Sequence, residues 1–143
     1  MIAVKLAYTR IVSNDVPRLA EFYRQLTGIS PVGNEDYVTF ATTAGTLALS
    51  SARAVARYNA GAAIPGSNRS VIIEFEVADV DRERARLSSL VQEFTLEPTD
   101  QPWGNRSMLF RDPDGNLINF FAPIGRANNP SHAAFSQEED HSK

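Results

Sequence analysis

Phe110-Arg111-Asp112-Pro113-Asp114-Gly115-Asn116-Leu117-Ile118-Asn119-Phe120 decides how this chain is read. Two apolar runs flank a polar turn, so the stretch predicts a hairpin of two buried strands. Proline near the start of the turn fixes φ, and glycine near its end accepts positive φ. Moving outward, the turn has an echo: Phe40 leads through Ala41-Thr42-Thr43-Ala44 to Gly45 and then to Thr46-Leu47-Ala48-Leu49. Setting Gly45 on Gly115 gives an offset of 115 − 45 = 70, which puts Phe40 on Phe110 and Leu47 on Leu117. A second echo pairs Asp15-Val16-Pro17-Arg18 with Asp79-Val80-Asp81-Arg82, at 79 − 15 = 64. Such self-similarity predicts two copies of one supersecondary unit.

Each copy reads as strand, helix, then two or three strands. Leu6 to Val12 predicts the first strand. Asn14 or Asp15 then caps a helix that carries Val16, Leu19, Phe22, Tyr23 and Leu26 on one face and stops at Gly28. Tyr37 to Phe40 and Thr46 to Ser50 make a hairpin, with a short strand near Ile29. The stretch from Ser51 to Ser70 is the least regular; within it Ala52 to Ala56 can make a helical turn. In the second copy Val71, Ile73, Phe75 and Val77 alternate with Ile72, Glu74 and Glu76. Asp79 caps a helix bearing Val80, Leu87, Leu90 and Val91. A polar connection leads to Trp103-Gly104, and the strands Ser107 to Arg111 and Asn116 to Ala122 close the copy.

Composition narrows the function classes. The 143 residues, 43% of them hydrophobic, suffice for one compact domain. The formal charge is −3 with no basic run, which argues against nucleic acid as a partner. The chain has no cysteine, so disulfides and thiolate chemistry are excluded. No apolar run approaches the ~20 residues of a membrane helix, so no membrane partner is expected. The start lacks a signal-like apolar core, which makes the cytoplasm the default location. Both histidines, His132 and His141, fall between residues 125 and 143, a stretch without apolar periodicity that reads as a flexible tail.

Three motifs in order resemble the vicinal oxygen chelate superfamily, the fold of glyoxalase I, extradiol dioxygenases, fosfomycin-resistance enzymes and bleomycin-resistance proteins. They are the strand-to-helix junction at Asp15 with Phe22-Tyr23 behind it, Phe75-Glu76-Val77-Ala78-Asp79-Val80, and Phe110 to Asn116. The resemblance spans residues 4 to 123. It implies an α+β fold of two βαβββ modules, with a curved, mixed, mostly antiparallel sheet around a cavity and the helices outside. The expected domain is 1–124, with module 1 about 4–51, a linker 52–70 and module 2 at 71–123. The resemblance also implies a homodimer with cavities near the subunit contact.

Enzymes of the superfamily hold a divalent metal through ligands on the first and last strands of each module. Carried over by position, these fall on Tyr8, seven residues before the capping aspartate, and on Ile72, at 8 + 64. The last-strand position, four residues after the turn glycine, is Asn119, and its module 1 partner is Leu49, at 119 − 70. Isoleucine and leucine ligate nothing, an amide is a weak donor, and a phenol must first lose a proton with a pKa near ~10. Zinc, iron and nickel prefer imidazole, thiolate and carboxylate. No metal or other cofactor is therefore expected.

The expected ligand-binding set is Tyr8, Arg10, Leu49, Ile72, Glu74, Trp103, Met108, Phe110, Asn119 and Phe121. Met108, Phe110, Leu117 and Phe121 are read as sharing the inner face with Asn119, to line the cavity or fill it. Arg10 offers a fork to a ligand carboxylate or neutralises Glu74. Trp103 stacks on a flat ligand or plugs the core. Arg57 and Tyr58 form a lid or a surface loop. Asp112 and Asp114 are turn residues. The function this implies is metal-free binding of an aromatic or amphipathic small molecule, an antibiotic or natural product, as in bleomycin-resistance proteins. The alternative is a glyoxalase- or dioxygenase-like enzyme, a lyase, isomerase or oxygenase. It would hold a metal through Glu74 and Glu76, or use Tyr8, Arg10 and Glu74 as acid–base groups. A third reading is a structural domain whose cavity its own side chains fill.

Overall fold

The structure, a computed structural model, describes residues 3–125, so all of the expected tail beyond Gly125, with both histidines, lies outside the described residues. It is α+β, with two four-stranded mixed sheets. The chain divides into two compact units. One runs to Arg69 and includes Asp112–Asn116; the other holds Ser70–Arg111 and the chain from Leu117.

In the first unit, β1 (Tyr8–Ser13) leads to α1 (Val16–Thr27), then β2 (Val32–Gly33), β3 (Tyr37–Ala41), β4 (Thr46–Ser51) and α2 (Ala52–Asn59). The sheet order is β1-β4-β3-β2, with β1 parallel to β4 and the other pairs antiparallel. Asp15 caps α1, its carboxylate accepting from the Arg18 N–H. Gly28 ends the helix at φ 75°, a left-handed C-cap that costs glycine little. The buried stripe Val16, Leu19, Phe22, Tyr23 and Leu26 packs on β3 and β4, where Phe40 and Leu49 are buried in turn. The region read as irregular contains a full helix, α2. Ser51 caps it by accepting from the Ala54 N–H while donating to Asp36 Oδ1 at 2.7 Å.

In the second unit, β5 (Ile72–Glu76) leads to α3 (Val80–Arg86), a 3-10 turn at Leu87–Ser89, then β6 (Phe94–Asp100), β7 (Asn105–Arg111) and β8 (Leu117–Pro123). The order β5-β8-β7-β6 repeats that of the first unit, again with one parallel pair, β5 with β8. Asp79 caps α3 as Asp15 caps α1, accepting from Arg82. The connection read as polar is the strand β6. Its Pro98 is tolerated because β6 is an edge strand and its pairing with β7 is interrupted there. Phe94, Phe110, Phe120 and Phe75 form an edge-to-face series across all four strands, with centroids 5.7, 5.3 and 5.6 Å apart. These rings lie on the buried face with Met108 and Ile118.

The turn at Asp112–Asn116 is a knot of hydrogen bonds. Asp112 Oδ1 accepts from the N–H groups of Asp114 and Asn116, both at 2.9 Å. Its Oδ2 accepts from Tyr23 Oη at 2.7 Å and Asn116 Nδ2 at 2.8 Å. Asn116 Oδ1 in turn accepts from Asn68 Nδ2. Gly115 has φ 90°, as a turn of this kind requires. The turn thus ties α1 to the linker region.

Candidate functional site

The hairpin registers decide which side chains meet. Between β7 and β8 Leu109 stands opposite Asn119, Ser107 opposite Phe121 and Asn105 opposite Pro123. Directly opposed residues share a face. Met108 and Phe110 are therefore on the other face, opposite Phe120 and Ile118, and both are completely buried. The expectation that they share Asn119's face is corrected. Odd-numbered residues pair with odd across this hairpin, so the even-numbered Met108 and Phe110 face away from Asn119.

A second correction concerns Leu49. The β3–β4 turn spans residues 42–45, while the β7–β8 turn spans 112–116. The repeat offset is 111 − 41 = 70 before the turn and 117 − 46 = 71 after it. Pairing confirms this, since Arg10 stands opposite Ala48 as Glu74 stands opposite Asn119. Asn119's counterpart is Ala48. Leu49 points to the α1 face, fully buried beside Ile11 and Val38.

The open face of the second unit, opposite the phenylalanine series, brings together Ile72, Glu74, Leu109, Leu117, Asn119 and Phe121. Ile72 is 46% exposed, whereas Leu109, Leu117, Asn119 and Phe121 are half-buried. Asn119 Nδ2 donates to Glu74 Oε2 at 3.0 Å. Its Oδ1 is buried and has no hydrogen-bond partner. Flipping the amide would not relieve this, because it would set Oδ1 against the carboxylate. Asn105, on the same face of β7, also buries an unpartnered Oδ1. Asn105 was not anticipated, although the odd-with-odd register would have put it on this face.

Trp103 sits outside the strands, in the β6–β7 turn, and is 42% exposed. It is not a core plug.

In the first unit, Tyr8 and Arg10 lie on the face away from α1, with Ala48 and Ser50. Arg10 Nε donates to Ser50 Oγ at 2.8 Å. Its guanidinium carbon lies 5.3 Å from the centre of the Tyr37 ring and 5.4 Å from that of Tyr58. Arg10 Nη1 reaches Tyr58 Oη at 3.5 Å. Tyr58, read as lid or surface loop, stands on α2 and completes this cluster. Glu74, the partner considered for Arg10, is held by Asn119.

A divalent metal of the kind the superfamily's enzymes use does not fit these residues. The four ligand positions carry Tyr8, Ala48, Ile72 and Asn119, two of them hydrocarbon and one an amide already bonded to Glu74. Among the described residues no group of three or more histidines, cysteines or acids is placed to hold a metal ion.

The profile of the Glyoxalase/Bleomycin resistance protein/Dioxygenase superfamily matches residues 5–120. The uncharacterized protein YraH of Bacillus subtilis (strain 168) is 30% identical over 125 residues, covering 82% of this chain and 98% of that one. Among solved structures, a glyoxalase/bleomycin resistance protein/dioxygenase from Nocardioides superposes with a TM-score of 0.70 at 25% identity, covering 87% of each chain. A lactoylglutathione lyase from Agrobacterium tumefaciens gives 0.63 at 24% identity over 87% of this chain and 96% of its own, a likeness of fold. The metal ligands are replaced, but the motifs, the paired module topology and these matches agree: the chain belongs to the glyoxalase/bleomycin resistance protein/dioxygenase superfamily.

Proposed function

We propose that this protein binds a small organic molecule on the open face of its second unit, without a metal. The observation that carries the reading is the pair of buried, unpartnered carbonyl oxygens on that face, Asn119 Oδ1 and Asn105 Oδ1. A buried acceptor without a donor costs about 1–3 kcal/mol. A ligand carrying N–H or O–H donors recovers that cost. Ile72, Leu109, Leu117 and Phe121 supply apolar surface around the polar groups, the usual make-up of a ligand site. An amphipathic natural product or antibiotic with amine or hydroxyl donors has this chemistry. The bleomycin-resistance resemblance supports sequestration as the role.

The test begins with native mass spectrometry of the full chain for co-purified molecules and with elemental analysis. Less than a tenth of an equivalent of zinc, iron or nickel is expected. Candidate compounds are then titrated while the Asn119 and Asn105 side-chain amides and the Trp103 indole are followed by NMR. Bound ligands should shift the Asn119 amide equally with and without chelator. Binding that vanishes with chelator and returns with a divalent ion would refute the reading.

A further inference from the structure

In the first unit Arg10 pairs with no acid among the described residues. Arg10 makes two hydrogen bonds, to Ser50 and Tyr58, both neutral hydroxyls. Arginine has five N–H donors, so three remain for another group. Its guanidinium sits against two tyrosine rings, which favour a cation without cancelling its charge. Asp36, the acid that precedes Tyr37 in the chain, is already taken: Arg53 binds both its oxygens, at 2.8 and 2.9 Å, and Ser51 adds a third donor. Arg57 precedes Tyr58 on α2 and also acts on Asp36 through its charge. Asp36 thus already answers to Arg53 and Arg57. Ser50, fully buried, fixes Nε and so fixes the direction of the fork. Tyr8, on the same face two residues before Arg10, leaves a third ring 56% exposed, and Tyr58 is 76% exposed.

We propose that Arg10, framed by Tyr37 and Tyr58, is a binding site for the carboxylate of an aromatic acid. A planar carboxylate matches the guanidinium fork edge to edge. The exposed faces of Tyr8 and Tyr58 then stack on the acid's ring. A phosphate dianion fits less well, because one fork is oriented here and the adjoining start of α2 is capped by its own Ser51. The site lies wholly in the first unit and does not depend on the reading of the Asn119 face.

The experiment titrates the full chain with sodium benzoate and follows the Arg10 Nε–Hε signal in 15N NMR spectra. Inorganic phosphate and benzylamine are run at the same ionic strength. Benzoate should give a saturable shift at Arg10, and neither control should. Arg10→Gln should raise the benzoate Kd about tenfold or more, as expected for loss of a charge-assisted pair. Tyr58→Ala, at an exposed position that the fold does not need, should raise it about threefold. Unchanged affinity in Tyr58→Ala or in folded Arg10→Gln would overturn the proposal. So would no saturable shift with benzoate, or equal binding of phosphate or benzylamine.

Discussion

At the scale of single residues, buried polar side chains act in opposite ways. Tyr23 and Asp112 are satisfied. The phenol is fully buried and donates to a carboxylate that accepts three further hydrogen bonds within its turn. Burial, then the charge of Asp112, holds the Tyr23 hydroxyl well above its ordinary pKa, so it remains a donor at all ordinary pH values. Tyr23→Phe removes one donor from a buried carboxylate and should cost about 1–3 kcal/mol, read as a lower midpoint in urea with an unchanged slope. Asn119 is the unsatisfied case. Asn119→Leu removes a buried acceptor with no partner, while the exposed Glu74 that loses a donor can turn to water. The melting temperature should hold or rise as binding on that face weakens, and a clear fall in stability would show that Asn119 serves the fold. Nothing in the sequence distinguishes these two roles, because both residues stand in strongly patterned segments. The difference lies in whether a second donor happens to be within reach.

At the scale of elements, caps and alternation were legible and register was not. Asp15 and Asp79 announced two helices 64 residues apart, and each does accept from the N–H three residues on. Capping is a local property, so local sequence carries it. Asp79→Ala should therefore cost about 0.5–2 kcal/mol, and α3, only seven residues long, should lose helicity before the sheets melt. Hydrogen exchange at Glu83 and Arg84 that is no faster in the variant would argue against this. Face assignment, by contrast, depends on how many residues a turn holds. The first hairpin turn is one residue shorter than the second, and that single residue moved the equivalent of Asn119 from Leu49 to Ala48. A slip of one exchanges the two faces of a strand. Met108 and Phe110 were misplaced by the same arithmetic, since a strand's pattern gives its alternation but not its partner's phase. β6 and α2 were missed for a different reason. Along β6 Phe94 and Leu96 alternate with Thr95 and Glu97 until Pro98 interrupts the run, while α2 has only eight residues to carry its pattern and one buried side chain, Val55.

At the scale of the whole molecule, charge and edges set the behaviour in solution. Glu21, Asp36, Asp81 and Glu97 each pair with an arginine. Their carboxyls all lie below the ordinary range; hydrogen bonds from Arg24 bring Glu21 to about 2, and Ser51 acts first on Asp36. A depressed carboxyl stabilises the fold above its unfolded pKa and loses that contribution as pH falls through the folded value. Stability should thus be level near neutrality and decline between about pH 4.5 and 2, with each exposed pair contributing little and salt flattening the slope. The edges have the larger consequence. β1 and β5 each end a sheet, and the residues just before them include Leu6 at 93% and Val71 at 56% exposure. Apolar edge strands left open invite pairing with another chain. We propose that a second copy covers them, as the superfamily resemblance implies. Sedimentation equilibrium should then give a dimer at micromolar protein. Leu6→Lys with Val71→Lys should shift it to monomer without unfolding either unit, because neither side chain is buried in its own unit. A wild-type chain that stays monomeric at those concentrations would refute the dimer. It would leave the two edges guarded only by the twist and short length of their strands, and the double variant would then be expected to change nothing in sedimentation.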